Sequence, residues 1–378
     1  MLALGLLVAA LALVAAGCGG GDDEGGGGGG EGSIWVLLPD SASSARWETD
    51  DRRFFEEAFG EAGVDFTIVN AEGDAATQQS QAEQAIADGA SVILLTSLDT
   101  GSGGAIIDQA KDADVQVVEY DRFNTGSSGG AAYVSFDNVK VGATMAEILE
   151  PAIDALGVDT PRVVMLNGGE EDNNSFLFRD GYAATVEARA DAGDWEIVAD
   201  QFVPAWDNAE ALNLMEQILV DANNDVDAVF AANDGLAQST ISALESAGLD
   251  PTTIPISGQD ATAAGIQNIL LGKQTMTVYK PIEAEAKVAA AVALALRDGT
   301  PLEDVESEFE FSLIGIQSED GKPTDSPDGE GVVPYFALTP IAVTADNVAD
   351  TVIADGFRTV EELCTGDVAE TEFCQENG

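Results

Sequence analysis

From residue 33 onward, short runs rich in Val, Ile and Leu alternate with stretches whose apolar positions recur every three or four residues. The runs at 34–38, 66–69, 92–96, 115–120, 132–136, 163–166, 197–203, 228–232 and 275–279 predict buried strands. Between them, 77–87, 139–156, 175–190, 209–222, 236–247 and 282–296 predict helices. An earlier one carries Trp47, Phe54, Phe55, Ala58, Phe59 and Ala62 on one face over charged neighbours. Strand–helix alternation of this kind builds parallel sheets covered by helices on both faces. The C-terminal third becomes irregular, so the pattern fits an α/β fold of two doubly wound lobes better than an eightfold barrel.

The strands share a manner of ending. Val117-Val-Glu-Tyr runs into Asp121-Arg122, and Tyr133-Val-Ser-Phe into Asp137-Asn138. Val163-Val-Met-Leu-Asn-Gly-Gly runs into Glu170-Glu-Asp-Asn-Asn174, and Val229-Phe-Ala-Ala into Asn233-Asp234. Pro255-Ile-Ser-Gly meets Gln259-Asp260, and Thr277-Val-Tyr meets Lys280. In open α/β sheets this carboxyl edge is where ligands sit. Two such edges facing each other enclose a cleft of Asp, Asn, Gln, Arg and Lys. Those groups suit a ligand with many hydroxyls, each of which donates to a carboxylate and accepts from an amide or cation. Trp206, in a Pro-Ala-Trp-Asp loop, offers a flat apolar face for a sugar ring. Trp47 is equally suited to that task and to core packing, since it lies on the apolar stripe of its helix.

Composition narrows the chemistry. The 378 residues hold 68 acidic against 15 basic side chains, a net charge of −53, and no histidine. Such a surface repels nucleic acid and anionic lipid. Without histidine the commonest general base and metal ligand is missing, which excludes most hydrolytic triads and zinc sites; no catalytic residue, metal or cofactor is expected. The acids are scattered, as in adaptation of a whole surface.

The first 17 residues are apolar, too short to span a bilayer, and end in Ala15-Ala16-Gly17-Cys18. They predict an export signal (1–17) and a lipidated Cys18, although Ala15 replaces the usual Leu and no basic residue precedes the run. Residues 18–33 are a Gly-rich acidic tether whose ends lie about 20 Å apart as a random coil. Export implies an oxidising compartment, so Cys364 and Cys374 are expected to form a disulfide in a C-terminal tail, 359–378.

Arg46-Trp47, Tyr120-Asp121-Arg122, Ser135-Phe136-Asp137-Asn138, Asp172-Asn173-Asn174, Asn233-Asp234, Ser257-Gly-Gln-Asp260 and Thr275-Met-Thr-Val-Tyr-Lys-Pro281 resemble, in order and spacing, the motif series of periplasmic D-xylose-binding proteins. The likeness continues through Leu338-Thr-Pro-Ile-Ala-Val343 and Asp350-Thr-Val-Ile-Ala-Asp-Gly-Phe357. It implies a periplasmic binding protein type I fold, with an N-terminal lobe (34–136 plus 279–338) and a C-terminal lobe (137–278 plus 339–358). Three hinge crossings are then expected near 136–137, 278–279 and 338–339. It also implies capture of a monosaccharide, D-xylose above other aldoses such as glucose, arabinose or galactose. Delivery would be to the permease subunits of an ABC importer, by a monomer lipid-anchored on the outer face of the bacterial cytoplasmic membrane. Presentation to a chemoreceptor or sensor kinase is compatible with this.

The residues carried over as sugar contacts are Arg46, Arg122, Asp172, Asn174, Asn233, Asp260 and Lys280, with Asn173 as a further candidate and Trp47 and Trp206 sandwiching the ring. Asp137 and Asp234 read as hinge and helix-cap residues. Regulators sharing this fold carry a basic DNA-binding segment where this chain has its signal and tether. A glycosidase pairing of Asp172 with Asp260 is disfavoured by the amides and cations around them. Residues 303–335 are longer and more acidic than the resemblance implies. Asp320, Asp325, Asp328 and Glu330 fit no EF-hand spacing and read as a solvated loop.

Overall fold

The computed structural model describes residues 32–125, 127–305, 310–315 and 332–378. The export segment, Cys18, the tether to residue 31 and the acidic stretch around Asp320 lie outside these residues.

The chain opens with β1 (Ser33–Leu38), α1 (Arg52–Ala62), β2 (Phe66–Asn70), α2 (Ala75–Ala87), β3 (Ala90–Leu95), α3 (Thr100–Asp112), β4 (Gln116–Tyr120) and β5 (Ala132–Phe136). It continues through α4 (Asn138–Asp154), β6 (Arg162–Asn167), α5 (Asn173–Asp191), β7 (Glu196–Phe202), α6 (Asn208–Asp221), β8 (Ala228–Ala231), α7 (Asp234–Ser246), α8 (Ala263–Leu270) and β9 (Thr277–Tyr279). Then follow α9 (Ile282–Asp298), β10 (Glu310–Gly315), β11 (Val332–Leu338), β12 (Ile341–Val343), α10 (Val360–Leu363) and α11 (Glu372–Asn377).

The strands form two separate layers. One sheet has the order β10-β11-β5-β4-β3-β1-β2, parallel throughout except for β10 against β11. The other is β7-β6-β8, also parallel, and isolated bridges carry it through Ile256 and Gln259 to the antiparallel pair β9–β12. The chain therefore passes between layers after β5, between β9 and α9, and after β11. Asp137 N donates to the Leu338 carbonyl at 3.0 Å, tying two of these crossings side by side.

Most strand-end acids also start the next helix. Asp74, Asp99, Asp137, Asp172 and Asp207 accept from backbone N–H groups in the first turns of α2 to α6, and Asn233 does so for α7. Each satisfies a donor that the helix cannot satisfy itself. This local rule leaves a row of carboxylates and amides at the carboxyl edge of both sheets.

Glycine shapes one helix that periodicity misses, α3, and one helix pair that it predicts, α4 with α5. In α3 a Cβ on Gly103 would lie 2.0 Å from Asn124 Oδ1 and 2.5 Å from Ser97 Cβ, so the helix is built from residues that weaken the helical signal. Helices α4 and α5 touch backbone to backbone: a Cβ on Gly142 would meet the Phe178 carbonyl at 1.9 Å, and one on Gly181 the Val139 carbonyl at 2.2 Å. The short helix α8 and strands β10, β11 and β12 are further additions to the predicted set. The last three pair late and antiparallel or at an edge, where alternation is weak.

Cys364 and Cys374 are joined by a disulfide with Cα atoms 5.6 Å apart. The tail it closes packs on α8, with Leu363 and Val368 buried. Gln267 Nε2 donates to the Leu363 carbonyl and to Thr365 Oγ1, both at 3.0 Å.

Candidate functional site

Nine of the ten sequence-named residues converge on one cavity between the layers: Arg46, Trp47, Arg122, Asp172, Asn174, Trp206, Asn233, Asp260 and Lys280. Ser43, Ser44, Asp121, Phe178 and Gln259 complete the lining. Asn173 is the exception. It is buried on the neighbouring face of α5, and its Nδ2 has no partner among the described residues.

Arg46 forms the floor. Its Nε and Nη2 donate to Asp51 at 2.9 and 2.8 Å, Nη1 to Asp121 at 2.8 Å, and Nη2 also to Glu285 at 2.8 Å. Four of its five N–H groups are thus engaged by carboxylates, so its main work is to fix Asp121. The guanidinium lies 4.3 Å from the centre of the Trp47 ring. Trp47 is both core and lining, since it belongs to the buried hydrophobic core and also lines the cavity.

Asp121 is the centre of the charge network. It sits just past β4 with φ +61°, a left-handed conformation that costs energy for a residue with a Cβ. Oδ2 accepts from Arg46 and from Lys280 Nζ at 3.2 Å, and Oδ1 accepts from Asn174 Nδ2 at 3.2 Å. Burial alone would raise its pKa, but the charges of Lys280, Arg46 and Arg122 outweigh burial and hold it far below the usual carboxylate range. Beneath it, burial drives the Glu285 carboxyl well above its ordinary value despite the opposing pull of Arg46.

Contacts then cross from layer to layer. Arg122 Nε lies 3.1 Å from Asp172 Oδ2 while its Nη1 donates to the Ser97 carbonyl at 2.9 Å. Asp172 also caps α5 and accepts from Trp206 Nε1 at 3.2 Å. Its pKa is raised by burial, with Arg122 opposing. Ser44 Oγ donates to Asp260 Oδ2 at 2.9 Å, and Asn233 Nδ2 to the Ser43 carbonyl at 3.3 Å. Lys280 Nζ sits 3.6 Å from Asp260. The two layers are therefore drawn together over the cavity.

Backbone geometry aims several of these groups. Asp260 and Trp206 adopt φ +92° and +55°, again left-handed. The Trp206 ring lies so close over Gly168 that a Cβ there would stand 2.1 Å from it. Phe178 meets the Trp206 ring edge-on, with centroids 6.2 Å apart. Gln259 is buried, and its Oε1 has no partner among the described residues. Such a buried acceptor is costly unless something donates to it.

Asp121 stood in a quoted motif at a strand end but was not named as a site residue; its left-handed backbone and its bonds to Arg46, Lys280 and Asn174 set it apart from Asp137 and Asp234. Those two do serve structure: Asp137 caps α4, and Asp234 accepts from Thr262 N and Gln274 Nε2, both at 2.8 Å. Ser43, Ser44 and Phe178 carried no signal beyond adjacency to the motifs, whereas Gln259 stood at a strand end without being named as a contact. The arrangement suits a small neutral ligand bearing hydroxyls, offered acceptors by Asp172, Asp260 and Gln259 and donors by Lys280, Asn233 and Asn174. Among the described residues no helix is long and apolar enough to cross a membrane.

The periplasmic binding protein domain model matches residues 35–301. The D-xylose-binding periplasmic protein of Escherichia coli (strain K12) is 36% identical over 324 residues, covering 86% of this chain and 90% of that one. The D-xylose-binding periplasmic protein of Haemophilus influenzae is 35% identical over 327 residues, covering 86% and 91%. Among solved structures, an ABC transporter solute binding protein from Clostridium phytofermentans with bound β-D-glucose superposes with a TM-score of 0.75 at 25% identity, covering 88% of this chain and 99% of that one. With its paired α/β layers and polar interlayer cavity, this chain belongs to the periplasmic binding protein family, among the sugar-binding proteins of ABC transport.

Proposed function

We propose that the chain captures D-xylose by closing its two lobes over the sugar and hands it to an ABC importer, without catalysis. The observation that carries this reading is a small cavity whose donors and acceptors come from both layers. A ligand reaching both sets is held only when the lobes meet, so it stabilises the closed form over the open one. In this reading Asp172, Asn174, Asn233, Gln259, Asp260 and Lys280 bond the hydroxyls, and Trp47 and Trp206 cover the ring faces. Arg46 and Arg122 act mainly by holding Asp121 and Asp172. Xylose is favoured by the relatives at 35–36% identity; the neighbour bound to β-D-glucose keeps a hexose as the second reading.

Asp172 and Asp260 are held by Arg122, Trp206, Ser44 and Lys280 rather than left to share a proton across a glycosidic bond. Incubation with aryl xylosides is expected to give no turnover. The lobes pivot at the crossings near 136–137 and 338–339 and at one near 280–281, two residues later than the expected 278–279 because Tyr279 still pairs with Ile341 in the second layer, and Cys18 anchors the tether to the membrane face.

Calorimetry of the mature protein against D-xylose, D-glucose, L-arabinose and D-galactose tests the assignment. D-xylose is expected to bind most tightly. Tighter glucose binding would reassign the ligand, and no heat with any aldose would overturn sugar capture.

A further inference from the structure

Arg358 lies beyond the third crossing and outside the sugar cavity, yet it reaches both lobes. Its Nε donates to the Ala261 carbonyl at 3.0 Å, and its guanidinium lies 3.9 Å from the centre of the Phe357 ring. The other end of the fork faces the N-terminal lobe, where Nη1 and Nη2 stand 3.5 and 3.4 Å from the two Asp50 oxygens. Asp50 is in the helical turn Trp47–Asp51 that carries Trp47. Both side chains are shielded from water, Asp50 at 3% and Arg358 at 8% exposure. The other cation near Asp50 is Arg53, at 3.6 Å and half exposed.

The second attachment matters as much as the ion pair. Ala261 follows Asp260, and the two hold consecutive left-handed conformations, φ +92° and +47°. This bend points Asp260 at Ser44 and Lys280. Arg358 therefore grips the bend that presents a sugar-facing carboxylate and, with the same guanidinium, the helical turn that presents Trp47.

We propose that Arg358 and Asp50 form a closure latch, in which Arg358 is a positioning residue for Asp260 and the ion pair forms only when the lobes meet. When the lobes part, the Asp50 contact is lost, while the bonds of Arg358 to the Ala261 and Phe357 carbonyls remain within its own lobe. Sugar binding and latch formation then favour the same state and strengthen each other. This rests on the sugar-capture reading, but the latch has its own readout.

The test is a double-mutant cycle on the mature protein with Asp50→Asn, Arg358→Gln and the pair, read by D-xylose calorimetry and stopped-flow dissociation. Each single change is expected to weaken binding about tenfold, a usual size for such linkage, chiefly through faster release. The double variant should be no weaker than the worse single. Asp50→Asn is nearly isosteric and leaves the grip on Ala261, so the ligand-free melting temperature should stay unchanged in that variant. Additive losses, or unchanged affinity in Asp50→Asn, overturn the latch. If the parent binds no aldose, sugar capture fails while small-angle scattering of the ligand-free protein still tests the latch. A smaller closed fraction in Asp50→Asn supports it, and identical scattering overturns it.

Discussion

Arg122 and Asp172 face each other across the cleft, Nε 3.1 Å from Oδ2, with both side chains buried. One belongs to the loop after β4 and the other caps α5, so closing the lobes is what brings them together. Replacing Arg122 by Met leaves Asp172 to be buried without its cation each time the lobes close. Breaking a buried pair in this way costs about 3 kcal/mol, roughly a hundredfold in affinity. Because burial already raises the Asp172 pKa, the variant should recover part of its affinity as pH falls and that carboxyl takes a proton. Calorimetry at two pH values reads both effects; equal losses at each pH would contradict the assigned charge.

The contact of α4 with α5 leaves no room for a side chain at Gly142 or Gly181. Gly142→Val is expected to lower unfolding stability by about 2 kcal/mol or more through overpacking. It should also disturb sugar binding, because α5 carries Asp172, Asn174 and Phe178. Denaturant titration together with calorimetry separates the two effects.

Glu119 is buried and accepts from Asn124 N, Asn124 Nδ2 and Gly130 N, thereby tying down the loop that begins with Asp121 and Arg122. Burial outweighs those bonds and raises its pKa to about 7. The folded chain thus keeps a proton that the unfolded chain releases near the ordinary value of 4.5. Stability from this group is full at low pH and is lost as pH rises through about 7. Glu119→Gln cannot ionise, so its melting temperature should lie further below the parent at pH 5 than at pH 8. A pH-independent gap would mean that the carboxyl is ionised throughout.

The Cys364–Cys374 bridge closes a loop ten residues apart in sequence. By loop entropy it is worth roughly 3 kcal/mol to the docked tail. Reduction should expose the backbone beyond Arg358 to proteolysis while sugar affinity stays unchanged, since no tail residue lines the cavity.

Much of this was legible because strand ends obey local rules. A hydrophobic run followed by Asp or Asn announces both a buried strand and the cap of the next helix, so Asp172 and Asn233 were visible as site candidates. What stayed hidden depends on contacts distant in sequence. Helix α3 looks poor in helical signal because it carries glycines, and Gly103 answers to Asn124 and Ser97. Asp121 was visible at a strand end, but its place at the centre of the charge network rests on Arg46 and Lys280, distant in sequence. Phe178 joins the cavity only through the packing of neighbouring elements. Arg46 was named as a sugar contact, yet most of its donors serve Asp51, Asp121 and Glu285, partners far apart along the chain.

Of the 15 basic residues in a chain with net charge −53, Arg46, Arg122 and Lys280 line the cavity, and each already faces a carboxylate. The cleft therefore offers directional donors without a surplus of positive potential to draw in an anion. Outside it, the field of the whole molecule pushes anions away, over about 30 Å in dilute buffer and about 8 Å at physiological salt. Uronic acids and sugar phosphates are thus expected to reach the cleft more slowly than neutral sugars. The chain sorts solutes by charge at long range and by stereochemistry only at contact.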